Sequence, residues 1–178
     1  PVALFAWLPG RDLGAAATVE QMRAVGRATA VLHHHAAGWQ LPAGAELPSI
    51  DLIMMDVPDH FADEHPLMTD EYRSVIDTAM AHVQGHYDTL FASASRQPLH
   101  ADLQVWNLKW YLGRLIVFDL DDSGVGVPAQ DLAISAYYLR DNFEQEAALL
   151  DGYRAVRPLP AFTDEQFEAL VAGRSLVL

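Results

Sequence analysis

The chain is 178 residues long, 51% hydrophobic and 20% charged, proportions that suit one globular domain able to bury a core without disulfides or a structural metal. It has no cysteine, which excludes thiolate zinc sites, iron–sulfur clusters and cysteine nucleophiles and fits a reducing, cytoplasmic setting. The net charge is −13, with ten Arg and the single Lys109, so no basic stripe is present for nucleic acid; the acidity serves solubility, or suits a cationic substrate or Mg2+.

No apolar run approaches the ~20 residues of a membrane span, and no signal peptide opens the chain, so no membrane partner is expected. The opening Val2-Ala3-Leu4-Phe5-Ala6-Trp7-Leu8 predicts a buried strand, followed by a break at Pro9-Gly10. Both this start and the apolar Leu176-Val177-Leu178 at the other end lead to the expectation that the chain is cut from a longer fold.

Thr18 with Gln21 forms a capping-box pattern, and Val19, Met22, Val25, Thr29 and Leu32 then recur at helical spacing to about His34. Residues 38–66 read as an ordered loop anchored by Ile53-Met54-Met55, with acidic residues at Asp51, Asp56, Asp59, Asp63 and Glu64. By composition alone those acids fit a solvated face better than a substrate pocket. Thr69 or Asp70 caps a long helix whose apolar face is Val75, Ile76, Ala79, Met80, Val83, Tyr87, Leu90 and Phe91.

The period then changes. An extended segment starts at Pro98-Leu99-His100, and two strands, residues 108–112 and 115–118, form a hairpin with a three- or four-residue connection. Pro128 opens a helix with Leu132, Ala136 and Leu139 facing inward, and two more helices are predicted over 143–156 and 164–173. Trp7, Tyr87, Phe91 and Tyr137 are expected in the core.

Chemistry concentrates in His100-Ala101-Asp102-Leu103-Gln104-Val105-Trp106-Asn107, which sets an Asp and an Asn five positions apart in a loop leading into a strand. Twelve residues after Asn107 the second strand ends in Asp119, followed by Asp121 and Asp122. Phosphoryl transfer needs a carboxylate to orient an acceptor hydroxyl and take its proton, and oxygen ligands for Mg2+ on the triphosphate; this set supplies both. A hairpin folds Asn107 and Asp119 side by side.

These segments resemble the aminoglycoside phosphotransferase and choline-kinase-like family. His100 to Asn107 is similar to its H-G-D-x-x-x-x-N loop, and Phe118-Asp119-Leu120-Asp121-Asp122 to its metal-binding strand end. Gln130-Asp131-Leu132-Ala133 resembles the opening of its next helix, Trp7-Leu8-Pro9-Gly10 its inter-lobe linker, and Leu32-His33 the end of its first C-lobe helix. Ala101 replaces a usual Gly, Gln104 a frequent His, and Trp106 a frequent Gly.

The resemblance implies an α+β, mainly helical fold: a protein-kinase-like C-lobe in which a small β-hairpin carries the catalytic loop and the metal-binding Asp. It implies residues 1–9 as the end of an N-lobe and linker, and 10–178 as the C-terminal lobe. Asp102 would be the catalytic base, Asn107 and Asp119 would bind the Mg2+–ATP cofactor, Asp121 would be a further metal ligand or a substrate-side carboxylate, and His100 and Asp131 would give structural support. The activity implied is transfer of the γ-phosphate of ATP to a small-molecule hydroxyl. No Gly-rich phosphate loop or N-lobe lysine is present, so this stretch by itself is expected to be inactive. A bacterial stress-response-type Ser/Thr kinase, and an inert pseudokinase or binding lobe, are the alternatives.

Three other motifs carry less. Consecutive helical residues point ~100° apart, so His33-His34-His35 cannot converge on one metal ion. Gly124-Val125-Gly126 reads as a plain turn and not a dinucleotide loop. Ser123 lacks the Gly-x-Ser-x-Gly setting of a hydrolase nucleophile.

Overall fold

The computed structural model describes residues 6–53 and 67–178. Residues 2–5 of the predicted opening strand, with Met54, Met55, Asp56, Asp59, Asp63 and Glu64, lie outside them. In chain order the described elements are β1 (Arg11–Asp12), α1 (Val19–Ala36), α2 (Asp70–Ser93), β2 (Gln97–Leu99), β3 (Leu108–Tyr111), β4 (Arg114–Val117), β5 (Gly124–Gly126), α3 (Ala129–Tyr137), α4 (Phe143–Arg154) and α5 (Asp164–Val177). The fold is mainly helical, with two small antiparallel sheets. No helix among the described residues is long and apolar enough to cross a membrane.

Helix α1 starts where the pattern places it. Gln21 N–H donates to the Thr18 hydroxyl at 3.2 Å, and Thr18 N–H donates back to the Gln21 side chain at 2.8 Å. Its buried stripe is Met22, Val25, Thr29, Ala30 and His33. Leu32, predicted to face inward, is exposed, because the stripe passes from Thr29 to His33, four residues on. In α2, capped by Thr69, full burial begins only at Val83; Val75, predicted on the apolar face, points to solvent.

The larger sheet has the order β1-β3-β4. Leu108 pairs with Val117 and Tyr111 with Arg114, so the hairpin connection is two residues, Leu112-Gly113, and not three or four. Both have positive φ, 47° and 77°, the backbone that matches a two-residue turn to the twist of its strands. The opening segment is corrected too. Residues 6–8 form no strand, and Trp7 is 88% exposed and not core; the strand that pairs with β3 begins only at Arg11.

Gly124-Val125-Gly126 is a strand and not a turn, antiparallel to Gln97–Leu99. Its glycines serve space. A Cβ at Gly124 would come within 2.7 Å of Ile50 Cγ2, and one at Gly126 within 2.6 Å of Ile50 Cγ1. Ile50 thereby packs onto bare backbone.

Among the described residues, the two larger apolar clusters join the helices and the hairpin, and a small third one is Ile50, Leu99 and Ala101. Val83, Tyr87, Leu90, Leu132, Phe167 and Leu170 join α2, α3 and α5, while Met22, Val25, Leu103, Leu108 and Leu149 join α1, α4 and the hairpin. The segment between β2 and β3 runs along this packed body, anchored by the wholly buried Leu103. It contains the predicted site.

Candidate functional site

The loop from His100 to Asn107 is held at its start by one buried carboxylate. Asp131, in the first turn of α3, accepts from Ala101 N–H at 2.8 Å through Oδ1 and from His100 N–H at 3.3 Å through Oδ2. Two backbone donors converge on it because Ala101 adopts φ 64°, a left-handed conformation that L-residues adopt at a cost. A Gly at that position would carry no such cost. The His100 ring fixes the loop to β4's exit: its Nε2 donates to Phe118 O at 2.9 Å, and its Nδ1 accepts from Asp102 N–H at 3.4 Å.

Asp131 has a third partner that the sequence reading did not assign. His33 Nε2 donates to Asp131 Oδ2 at 2.9 Å, and His33 Nδ1 lies 3.0 Å from the Tyr153 hydroxyl. Burial pushes the Asp131 carboxyl up, but the hydrogen bond and charge of His33 and the Ala101 N–H outweigh it and hold the group below its ordinary value.

Asp102 and Asn107 meet directly. Asn107 Nδ2 donates to Asp102 Oδ2 at 2.6 Å and to Asp102 O at 3.0 Å, closing the loop on itself. Both bonds use the amide nitrogen, which leaves Asn107 Oδ1 as the atom able to meet another partner. The other oxygen of Asp102, Oδ1, accepts from Arg174 Nη2 on α5, a residue the sequence reading passed over.

The hairpin brings the third predicted residue alongside. Phe118 N–H donates to Asn107 O at 3.2 Å, one step beyond the Leu108–Val117 pair, so Asp119 emerges next to Asn107. Asp119 has φ 68°, turning the chain out of the strand toward Asp121. The carboxyls of Asp119 and Asp121 face each other, and a proton held between them favours the neutral form of Asp119. That interaction, then burial and the charges of Asp121, Asp102 and Asp122, raise Asp119 above its ordinary value. The same interaction, with a backbone hydrogen bond, holds Asp121 below its own.

Among the described residues, no group of three or more His, Cys, Asp or Glu is arranged to hold a metal ion. The predicted set is of another kind: one amide oxygen and two carboxylates. All are oxygen donors, which hard divalent cations prefer. The donor set fits Mg2+ or Ca2+.

Trp106, the bulkiest departure in the loop, lays its ring against Gly14, where a Cβ would come within 2.9 Å of Trp106 Cζ3; the ring stays half exposed. Behind the loop a cavity of about 360 Å3 is bordered by Leu32, His33, Trp39, Leu99, His100 and Leu120.

The model of the phosphotransferase enzyme family APH matches residues 1–165. No curated protein sequence matches the chain. Among solved structures, a microcompartment-associated aminopropanol kinase aligns with TM-score 0.70 at 24% identity, over 90% of this chain and 53% of its own. The amicoumacin kinase hAmiN, solved with AMP-PNP, Ca2+ and Ami, aligns with TM-score 0.70 at 17% identity, over 96% and 54%. The choline kinase LicA of Streptococcus pneumoniae aligns with TM-score 0.60 at 15% identity, over 89% and 53%. At these identities the likeness is one of fold, and the chain spans about half the length of each of these kinases.

Proposed function

The chain belongs to the APH phosphotransferase enzyme family, and on that premise we propose that it forms the C-terminal lobe of an ATP-dependent phosphotransferase acting on a small-molecule hydroxyl. In this reading residues 1–9 are the end of an N-lobe and the inter-lobe linker, and residues 10–178 are the C-terminal lobe. The observation that carries this reading is the closed Asp102–Asn107 loop lying beside Asp119 at the hairpin's end.

In this reading Asp102 takes the proton of the acceptor hydroxyl as its oxygen attacks the γ-phosphorus of ATP, with ADP as the leaving group. Asn107 Oδ1 and the carboxylates of Asp119 and Asp121 are the ligands for Mg2+, whose charge, when it is bound, offsets that of the phosphates. His100 and Asp131 keep the loop's backbone in place, so the rate gain comes from positioning and from charge already arranged. The solved kinases named above act on an aminopropanol, amicoumacin and choline, which places small hydroxyl compounds first among acceptors to test.

Calorimetry of Mg2+-dependent ATP binding, on this chain and on a form extended upstream, tests the reading. Binding by the extended form alone is the expected result. Binding by neither favours an inert lobe. In the extended protein Asp102→Asn is expected to abolish turnover and leave nucleotide binding intact; surviving turnover would remove Asp102 from the role of base.

A further inference from the structure

Helix α5 reaches the candidate site through Arg174, which lies beyond residue 165, where the family match ends. Its Nη2 donates to Asp102 Oδ1 and, at 3.0 Å, to the Tyr138 hydroxyl. The guanidinium carbon sits 5.7 Å from the centre of the Tyr138 ring. The side chains of Arg174 and Asp102 are only 12% and 15% exposed, so this is not a loose surface pair.

The placement follows from how α5 packs. Phe167, Leu170 and Val171 are buried, and Arg174 continues their stripe one turn further along. Gly173 lets the helix close on α2: a Cβ there would lie 3.0 Å from the Tyr87 hydroxyl and 3.2 Å from Val83 Cγ1. The next side chain is thereby carried to the loop.

We infer that Arg174 is a positioning residue for Asp102, and that α5 is therefore part of the site; the inference rests on the reading of Asp102 as base. A carboxylate turns about its Cβ–Cγ bond, and a base works only when a free lone pair faces the acceptor proton. Asn107 holds Oδ2 from within the loop, and Arg174 holds Oδ1 from an element 72 residues away. Donors on both oxygens fix the carboxylate plane. Each oxygen has two lone pairs, so each keeps one for the acceptor. Arginine suits the task because it stays protonated and does not take the proton that Asp102 must receive.

The test uses the upstream-extended protein with Mg2+–ATP, aminopropanol, choline and an aminoglycoside as acceptors, and water as acceptor in an ATP-hydrolysis control. Arg174→Gln is expected to lower kcat roughly 10- to 100-fold with the KM for ATP within about twofold, as a small misplacement of a reacting group does. Arg174→Lys, which keeps the charge, should recover a large part of that loss. A kcat for Arg174→Gln within about twofold of wild type overturns the inference, as does a loss that Arg174→Lys does not relieve. Wild-type protein that neither transfers nor hydrolyses overturns the assignment of Asp102 itself, and the role of Arg174 with it. Thermal unfolding of Arg174→Gln, Asp102→Asn and the double variant checks the contact apart from turnover: non-additive shifts are expected, and additive ones would show that the pair does not form.

Discussion

His33 and Asp131, 98 residues apart, meet as a buried pair at 2.9 Å, each side chain 1% exposed. The pair joins the last turns of α1 to the first turn of α3, and Asp131 passes the constraint to the backbone of His100 and Ala101. Removing His33 leaves a buried carboxylate without its side-chain partner, so His33→Ala is expected to cost about 3 kcal/mol. The pH dependence has a definite sign. Asp131 is held below its ordinary 3.8, so its contribution is complete above pH 3.8 and fades as pH falls through the lower folded value. Urea denaturation at pH 7 and pH 3 should therefore show the gap between wild type and His33→Ala shrinking at the lower pH. An undiminished gap would mean that packing of the ring, and not its bond to Asp131, carries the effect.

Helices α1 and α4 are in contact because two glycines give way to each other's backbone. A Cβ on Gly26 would lie 1.9 Å from Leu149 O, and one on Gly152 would lie 2.1 Å from Arg23 O. In a free helix Gly→Ala gains about 1 kcal/mol. Here the helices must separate, so Gly26→Ala or Gly152→Ala is expected to destabilise by about 2–3 kcal/mol. The melting temperatures of the two variants check this, and a rise in either would contradict the close approach.

How much of this was legible in the sequence depends on the range of the interaction. The Thr18–Gln21 box, the Thr69 cap and the spacing of Asp102, Asn107 and Asp119 are local, and each leaves a pattern within a few residues or one hairpin. The strand Gly124–Gly126 was hidden because two glycines read as a turn until Ile50 is seen against them. His33 and Arg174 were hidden by distance, yet each had a signal. His33 continues the inward stripe of Met22, Val25 and Thr29, and Arg174 that of Phe167, Leu170 and Val171. A polar or charged group in such phase must find a partner. The phase places it inward, but only the fold supplies Asp131 or Asp102.

Asp119 and Asp121 are expected to titrate as a linked pair. The proton held between them is the main cause that raises Asp119, so Asp121→Asn should bring Asp119 back toward 3.8. In the wild type the raised value means that the folded state binds its proton more readily than the unfolded chain does. This group therefore favours folding more as pH falls through the raised value toward 3.8. Carboxyl 13C NMR titration of the two proteins follows the change, and an Asp119 titration unmoved by Asp121→Asn would assign the shift to burial or to Asp102.

The hairpin turn offers a gain in stability without touching the site. Leu112 adopts φ 47° and is 83% exposed, so it bears left-handed strain with almost no packing in return. The strain for an L-residue with a bulky side chain is about 1–2 kcal/mol, and Asn tolerates this conformation far better. Leu112→Asn makes Asn-Gly, the pair most favoured in a two-residue turn. An increase of about 0.5–1 kcal/mol is expected, since part of the strain relief is offset by the conformations Asn keeps in the unfolded chain. Denaturant unfolding measures it. A loss of stability instead would mean that the leucine gains from packing on the adjacent Tyr111 side chain, and that the turn is chosen for that contact over its backbone.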